Sequence, residues 1–289
     1  MQAGVRIHPA IAPWIVFSSF VRKLYIQRGL IRNFVVRDLR TRYVGSFMGF
    51  FWSVIHPLVL LASWTFVFLG IFHAQPGPET GTTSFPLFLF CGMLPWLFFS
   101  DALQRSSTVV IDNANLVTKT LFPTEILPLT AILSGVVNHL IGFAILLVMI
   151  FFVLGKVSVF IFLVPVYFVF LMLFTLGLAW LMAGLNVFVR DASQVISVVL
   201  TFWFWFTPIF YSPGYLEKAA AERPMLRYVV PLLNWNPMAH VVTGYRDCLL
   251  RMHMPDLTRL LLLAASSILV FVLGGLFFRH VKREFVDVL

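Results

Sequence analysis

Residues 157–188 read VSVFIFLVPVYFVFLMLFTLGLAWLMAGLNVF, and no lysine, arginine, aspartate or glutamate interrupts them. A helix needs about 20 apolar residues to cross the roughly 30 Å hydrocarbon core of a bilayer. The run is continuously apolar, whereas the strands of a membrane β-barrel alternate between apolar and polar residues. This stretch therefore predicts an all-α integral membrane protein.

The rest of the chain contains five more apolar stretches of membrane-spanning length. They lie at 44–72, 85–105, 125–154, 194–211 and 257–279. The whole chain is 60% hydrophobic and 11% charged, whereas soluble domains carry about 25% charged residues. We therefore predict a six-helix transmembrane domain over residues 44–279, between a cytoplasmic N-terminal segment (1–43) and a cytoplasmic tail (280–289).

Lysine and arginine are distributed unevenly between the two sides of the membrane that six spans imply. Fourteen of the 21 fall in segments on the side of both termini, which the positive-inside rule assigns to the cytoplasm. The net charge of +9 follows from this topology and from attraction to anionic lipid. We therefore expect no nucleic-acid partner.

Residues 20–43 combine apolar positions at helical spacing with a basic opposite face. This pattern predicts an amphipathic helix that lies along the membrane surface and turns into the first span near Gly45. Its basic face has two interpretations. It anchors the protein to acidic lipid headgroups, or it forms a docking surface for a cytoplasmic partner.

The outer segment 212–256 is more apolar than an ordinary loop. It contains MLRYVVPLL and PMAHVVTGY, which are too short to cross a bilayer and are separated by NWN. Non-helical backbone at membrane depth is tolerated where it is buried in protein or lines a wet cavity. We therefore expect a re-entrant pair of gate helices between spans five and six. The alternative is an outer cap of amphipathic helices that lie flat.

The sequence lacks the patterns of an enzyme or of a metal site. It has no Gly-x4-Gly-Lys-Ser/Thr loop and no His-Glu-x-x-His pair, and Cys91 and Cys248 indicate no disulfide framework. The carboxylates lie in loops or at span ends, whereas an ion-coupled carrier usually keeps one within the bilayer. We therefore expect a transport subunit with no catalytic residues, metal or cofactor of its own, driven by another chain.

Two spans carry faces that mix hydroxyl groups with aromatic rings. Helical spacing aligns Ser197, Thr201, Phe204 and Trp205, Pro208 and Tyr211 in span five, and it aligns Ser53, Pro57 and Trp64 in span one. Such a face suits a sugar chain, and the alternative is lipid-facing bulk with interfacial belt residues. Polar residues within the spans indicate functional sites or interhelical hydrogen bonds; they are His56, Asn138, His139 and Asn186.

Six segments in order resemble one known family. They are RDLRTRYVGSFMGFFWSVIHPL, FPLFLFCGMLPWLFFSDALQRSS, NANLVTKTLFPTEILPL, NVFVRD, FWFTPIFY and NPMAHVVTGYRDCLL. Over roughly residues 30–280 the chain resembles the membrane subunits of type-2 ABC exporters that move polysaccharides out of bacteria. The O-antigen and teichoic-acid permeases are the most similar branch.

The resemblance implies a homodimer in the bacterial cytoplasmic (inner) membrane, with two copies of a cytoplasmic ABC ATPase that holds ATP and Mg²⁺. It places the interface helix at about 22–43, coupling segments at about 112–123 and 188–194, and the gate at about 224–250. The cargo would be a lipid-linked polysaccharide of O-antigen, teichoic-acid or capsule type.

Three groups of candidate site residues follow from these faces and from the resemblance. The channel-lining residues that would contact the glycan are Ser53, Trp64, Phe98, Phe99, Thr201, Phe204, Trp205 and Tyr211. The ATPase-coupling candidates are Arg37, Arg40, Arg42, Asn113, Asn115, Lys119, Arg190 and Asp191. The gate candidates are Arg227, Tyr228, Asn236, Pro237 and Arg246.

The predicted function is therefore that of the permease subunit of an ATP-driven exporter of lipid-linked polysaccharide. The alternatives are a lipid-linked glycan flippase driven by an ion gradient, an ABC exporter of a small lipid or drug, and a membrane enzyme such as a glycosyltransferase. The missing carboxylate within the bilayer argues against the flippase, and the missing catalytic residues argue against the enzyme.

Overall fold

The computed structural model describes residues 25–43, 48–120 and 122–289. The predicted starts of the interface helix and of the first span lie outside these residues. The α-helices are α1 (Arg28–Tyr43), α2 (Trp52–Thr65), α3 (Phe85–Asp112), α4 (Ala114–Lys119), α5 (Ile126–Leu154), α6 (Val164–Phe188), α7 (Ala192–Phe206), α8 (Pro213–Glu222), α9 (Val229–Trp235), α10 (Pro237–Arg246), α11 (Leu257–Val281) and α12 (Phe285–Val288). The described part of the chain contains no strand.

Five helical segments are long and apolar enough to cross a membrane. They are Trp52–Ile71, Phe85–Asp112, Ile126–Leu154, Val159–Phe188 and Leu257–Val281. These segments confirm the predictions of spans one to four and six. Two of these segments are longer than the α-helix that they contain. Helix α2 continues as a π-helix over Phe66–Ile71, and a 3₁₀ turn over Val159–Leu163 precedes α6.

The predicted fifth span is shorter than expected. Its helix α7 has 15 residues and ends at Phe206, so it is about 22 Å long at about 1.5 Å per residue. The hydrocarbon core is about 30 Å thick. Residues 207–211 continue the apolar sequence as bends rather than as helix. The count of six spans therefore stays a prediction.

Helix α3 is the centre of the bundle. Eighteen of its 28 residues are buried, and it packs against α5, α6, α7 and α10. Helices α6 and α11 cross closely, because a Cβ on Gly274 would collide with the backbone of Gly177, and small residues allow such an approach. Helix α2 is peripheral, since only Pro57 and Leu61 are buried in it.

The loops gather at two ends of the bundle. At one end Arg37 binds Asn113 and Lys282 binds Glu125, so α1, the first predicted inner loop and the C-terminal segment meet there. At the other end Ser212 donates to the Glu79 carboxylate at 2.6 Å, which joins the loops 73–84 and 212–256. This grouping agrees with the one that the basic residues predict. The orientation, with both termini in the cytoplasm, stays a prediction.

Helix α1 packs by one side on the start of α5. Ile31 is buried, and the rings of Phe34 and Phe122 lie 5.2 Å apart. The opposite side is exposed and basic, and it carries Arg28, Arg32, Arg37 and Arg40. Its position in the membrane surface stays a prediction, because the packed side contacts protein here.

The two apolar pieces of the outer segment behave differently. Helix α10 is buried from Met238 to Arg246 and packs against α3, α6 and α11. Helix α9, in contrast, exposes Leu232 and Trp235. The second piece therefore penetrates the bundle and the first lies at its surface. A re-entrant pair of gate helices stays a prediction.

Candidate functional site

The aromatic faces predicted on α2 and α7 meet. The ring centroid of Trp64 lies 6.0 Å from that of Phe204, 5.8 Å from Trp205 and 5.0 Å from Phe210. Trp205 remains 49% exposed, so the cluster presents an aromatic ring to the outside of the subunit. We call Trp64, Phe204, Trp205 and Phe210 the aromatic cluster.

The hydroxyl groups of the predicted channel lie beside this cluster or away from it. Thr201 is exposed on α7, and its hydroxyl donates to the Ser197 carbonyl at 2.9 Å. Tyr211 is partly buried just after the end of α7, with its hydroxyl 3.5 Å from the Trp205 carbonyl. Ser53 lies near the start of α2, eleven residues before Trp64, so it does not join the cluster.

Phe98 and Phe99 pack within the subunit. The Phe99 ring is fully buried, 5.2 Å from Trp203. The Phe98 ring lies 4.9 Å from Phe168 and borders a cavity that Ser53 also lines. Both residues were predicted to line the channel. In a membrane helix, hydropathy does not distinguish residues that face lipid or a channel from residues that face the protein core. Their channel role stays a prediction.

The coupling candidates lie at the end of the bundle that α1 occupies. The Arg37 guanidinium donates to the Asn113 side-chain oxygen at 3.0 Å, which links α1 to the segment before α4. Arg190 and Asp191 are exposed in the turn between α6 and α7. Asn186 supports this turn by accepting the Ser193 backbone N–H at 3.2 Å. The remaining exposed candidates at this end are Arg40, Asn115 and Lys119.

A charged network joins α1 to α3. The Asp38 carboxylate accepts from Arg42 at 2.6 Å and from Arg105 at 3.2 Å. Asp101 accepts from Arg105 at 2.8 Å and lies 3.9 Å from Arg42. Two carboxylates and two guanidiniums therefore alternate. We call Asp38, Arg42, Asp101 and Arg105 the charged network.

The charged network also reaches α5, because Arg105 donates to the Ala131 carbonyl at 3.0 Å. Of the four residues of the charged network, only Arg42 was among the coupling candidates predicted from the sequence. Asp38 and Arg42, like Asp101 and Arg105, are separated by four residues, which is the spacing of a helical ion pair. The spacing could have identified these two ion pairs from the sequence. Asp101 lies near the end of the predicted span 85–105, and α3 continues beyond it to Asp112.

Asn236 joins the two short helices of the outer segment to α7. Its side-chain oxygen accepts from the Trp203 indole N–H at 2.9 Å and from the Met238 backbone N–H at 3.0 Å. Its amide donates to the Phe206 carbonyl at 3.3 Å. Asn236 therefore caps α10, of which Pro237 is the first residue, and ties it to the end of α7.

Arg246 binds the backbone where α7 has ended. Its guanidinium donates to the carbonyls of Pro208 at 2.5 Å and Ile209 at 2.6 Å. It lies over the Phe88 ring, 3.6 Å from the centroid. Gly92 leaves room for it, since a Cβ there would lie 2.6 Å from the guanidinium. Arg246 thus satisfies carbonyls that the interrupted helix leaves without helical partners.

The other two gate candidates lie at the surface. Arg227 and Tyr228 are exposed in the 3₁₀ turn before α9, and the Arg227 side chain donates to the Ala220 carbonyl at 3.3 Å. The structure therefore brings Asn236, Pro237 and Arg246 together around the end of α7 and α10. It leaves Arg227 and Tyr228 outside that group.

The outer end is closed by contacts between its loops. Ser212 donates to the Glu79 carboxylate, and this hydrogen bond lowers the pKa of Glu79 below its usual value. Arg251 donates to the Glu79 carbonyl and also pairs with Asp247 at 2.9 Å. The Glu79 carboxylate thereby attaches loop 73–84 to Ser212, at the start of α8.

Two of the polar residues predicted within spans form hydrogen bonds between or after helices. The His139 imidazole of α5 lies 3.1 Å from the Tyr245 hydroxyl of α10 and stacks on the Phe168 ring at 4.2 Å. Asn186 holds the turn after α6, as described above. The interhelical interpretation therefore holds for His139, and it connects a membrane helix to the outer segment.

The chain is similar to bacterial export permeases over nearly its whole length. The family model for the ABC-2 type transporter matches residues 30–250. An O-antigen export system permease protein RfbA of Myxococcus xanthus is 30% identical over 92% of this chain and 98% of its own. An RfbA of Klebsiella pneumoniae is 24% identical over 88% and 92%, and a polysialic acid transport protein KpsM of Escherichia coli is 23% identical over 88% and 94%. The chain therefore belongs to the ABC-2 type transporter family, as a membrane subunit of a type-2 ABC exporter.

Proposed function

We propose that this chain is the permease subunit of an ATP-driven exporter that moves a lipid-linked polysaccharide across the bacterial cytoplasmic membrane. The observation that carries the proposal is the similarity to an O-antigen export permease over 92% of the chain. The family match over residues 30–250 includes the aromatic cluster and helices α8 to α10 of the outer segment. The glycan is of O-antigen, teichoic-acid or capsule type.

The coupling end has the features that a partner ATPase requires. Arg190 and Asp191 are exposed, and α1 and α4 lie at the same end through the Arg37–Asn113 contact. Two ATPase subunits with ATP and Mg²⁺ dock at this end of a homodimer. Closure of the ATPases pushes on these segments, and the charged network passes the motion to α3 and α5.

The path for the glycan runs along the aromatic cluster, between two copies of the chain. Exposed sugar C–H faces pack on Trp205 and its neighbours, while the Thr201 hydroxyl provides a hydrogen-bonding group beside the rings. Peripheral α2 has only two buried residues within the subunit, which leaves most of its surface for a second copy. Helix α7 with residues 207–211 forms the fifth of the six spans.

The outer segment controls the exit of this path. Helices α9 and α10 form the gate, with α10 inserted in the bundle and α9 at its surface beside α7. Asn236 and Arg246 hold the gate against the end of α7. A motion of α7 therefore moves the gate helices with it.

Reversing charge at the turn between α6 and α7 tests the coupling. In Arg190→Glu and Asp191→Lys we expect ATP hydrolysis by the assembled complex to continue while export falls. A hydrogen bond to a charged group contributes about 1.5–3 kcal/mol, so loss of one such contact with the ATPase lowers export about tenfold or more. The measurement is glycan delivered per ATP hydrolysed in membrane vesicles.

Lys156→Glu is the matched control, because Lys156 is exposed in the turn at the opposite end of the bundle. It should export normally. Normal export by both Arg190→Glu and Asp191→Lys would remove the turn from the coupling surface.

A further inference from the structure

A cavity of about 490 Å³ lies between α2, α3 and α5. Its volume falls within the range of about 300–1,000 Å³ that is common for small-ligand sites. Its polar lining comes from three membrane helices and the end of α1, and includes Arg42, Ser53, His56, Asp101, Gln104 and Asn138. Polar groups within membrane helices usually line a wet cavity or a ligand site.

Two glycines of α5, Gly135 and Gly142, line the cavity. A Cβ at Gly142 would lie 2.5 Å from the Leu94 side chain, and one at Gly135 would lie 3.4 Å from the Phe98 ring. The glycines therefore let the side chains of α3 pack directly against α5 at the edge of the cavity.

The charges around the cavity select the kind of ligand. Asp101 and Arg42 line it, and both belong to the charged network, in which two carboxylates balance two guanidiniums. An anionic phosphate would meet the Asp101 carboxylate and would compete for arginines that are already paired. A neutral ring with hydroxyl groups can donate to Asp101 and accept from Arg42 without disturbing that balance.

Aromatic groups at the cavity favour the same ligand. Trp52 is 50% exposed and lies at the cavity, which the Phe98 ring also borders. Flat rings beside hydrogen-bonding side chains match the two kinds of surface on a sugar, its C–H face and its hydroxyl edge. We infer that this cavity binds a neutral saccharide unit of the cargo, at the end of the bundle that carries α1. The inference rests on the proposed export function, and it adds a sugar-binding site separate from the aromatic cluster.

The test uses the full chain with its ATPase partner in membrane vesicles and a thiol at the cavity. Ser53→Cys is labelled with a polar maleimide, and the parent chain gives the background, since Cys91 and Cys248 are buried. The probes are a lipid-linked oligosaccharide with a neutral first sugar and the same lipid phosphate without sugar. We expect the lipid-linked oligosaccharide to slow labelling of the thiol about tenfold, which corresponds to about 1.4 kcal/mol. The sugar-free lipid phosphate should leave the labelling rate unchanged.

Equal protection by the sugar-free lipid phosphate would overturn the saccharide assignment, and protection by neither probe would overturn the site. In Ser53→Cys with His56→Leu, which removes one polar lining group, we expect weaker protection at the same unliganded labelling rate. Unchanged protection would contradict the role of His56 in the cavity.

Export is measured in the same vesicles. If the parent complex exports glycan and Ser53→Cys is never protected, only this inference fails, whereas absence of glycan export by the parent complex refutes the proposed function.

Discussion

Replacing Arg246 by methionine abolishes export and destabilises the folded subunit by an expected 3 kcal/mol or more, roughly the cost of two to three buried carbonyls without partners. The guanidinium donates to the carbonyls of Pro208 and Ile209, and more weakly to that of Tyr211. Methionine has similar length but no donor. In the described part of the chain no backbone N–H donates to the carbonyls of Pro208 and Ile209, so the variant would leave them without a partner.

The measurement is thermal unfolding in detergent together with export in vesicles. Arg223→Met is the matched control, because Arg223 is an exposed arginine of the same outer segment and should change neither. Arg246→Lys should recover part of the stability, since one ammonium replaces a fork of five donors. An unchanged unfolding temperature and normal export in Arg246→Met would show that the end of α7 does not depend on this side chain.

Gly92 gives an independent approach to the same site. Gly92→Val places atoms where the Arg246 guanidinium lies, because even a Cβ would come within 2.6 Å of it. The expected defect matches that of Arg246→Met. The double variant Gly92→Val with Arg246→Met should be no worse than the more severe single variant, because both changes disrupt one contact.

Neutralising Asp38 or Arg105 should uncouple ATP hydrolysis from export. These residues form the contact between α1 and α3, at 3.2 Å, and both side chains are partly exposed. An isolated pair of this kind contributes about 0.2–1 kcal/mol to stability, so the fold should survive Asp38→Asn and Arg105→Gln. Export per ATP should fall by up to about fivefold in each, since a coupling energy of about 1 kcal/mol corresponds to that factor.

A double-mutant cycle separates this contact from other effects. If the two residues act through each other, Asp38→Asn with Arg105→Gln exports about as much as either single variant. Glu222→Gln is the control, because Glu222 is an exposed carboxylate at the end of α8, outside the coupling segments. Additive losses in the double variant would mean that α1 and α3 are not coupled through this pair.

The helices could be predicted from sequence where hydrophobicity alone determines them. Spans one to four and six needed only length and apolar composition. Helical spacing predicted an aromatic face on each of spans one and five, but the contact of Trp64 with Phe204 and Trp205 came only from the structure. The grouping of loops at two ends followed from the positions of the basic residues.

The end of α7 could not be predicted in the same way. The apolar sequence continues through Ile209 and Phe210, so a hydropathy pattern extends the helix to residue 211. Thr207 is extended directly before Pro208, as expected for a residue that precedes proline. Beyond this point Arg246, from a segment that sequence assigns to an outer loop, binds the carbonyls of Pro208 and Ile209, and Asn236 binds that of Phe206. Pro208 could be read locally, but the contact with Arg246, 38 residues away in the chain, could not.

The charged network and the burial of Phe99 were missed for related reasons. The spacing of four residues reveals each pair within its own helix, but the Asp38–Arg105 contact joins residues 67 positions apart. Phe99 faces the bundle because α3 is central, and a central helix is as apolar as a lipid-facing one. Both properties depend on which helices are neighbours, which one sequence does not specify.

The account depends on a division of labour between this permease and a separate ATPase. The direct measurement is glycan translocation in sealed vesicles that contain the purified chain alone, or the chain with its ATPase partner. We expect translocation only when the ATPase, ATP and Mg²⁺ are all present, and none by the chain alone under a proton or sodium gradient. Translocation by the chain alone under such a gradient, or ATP hydrolysis by it, would contradict the account.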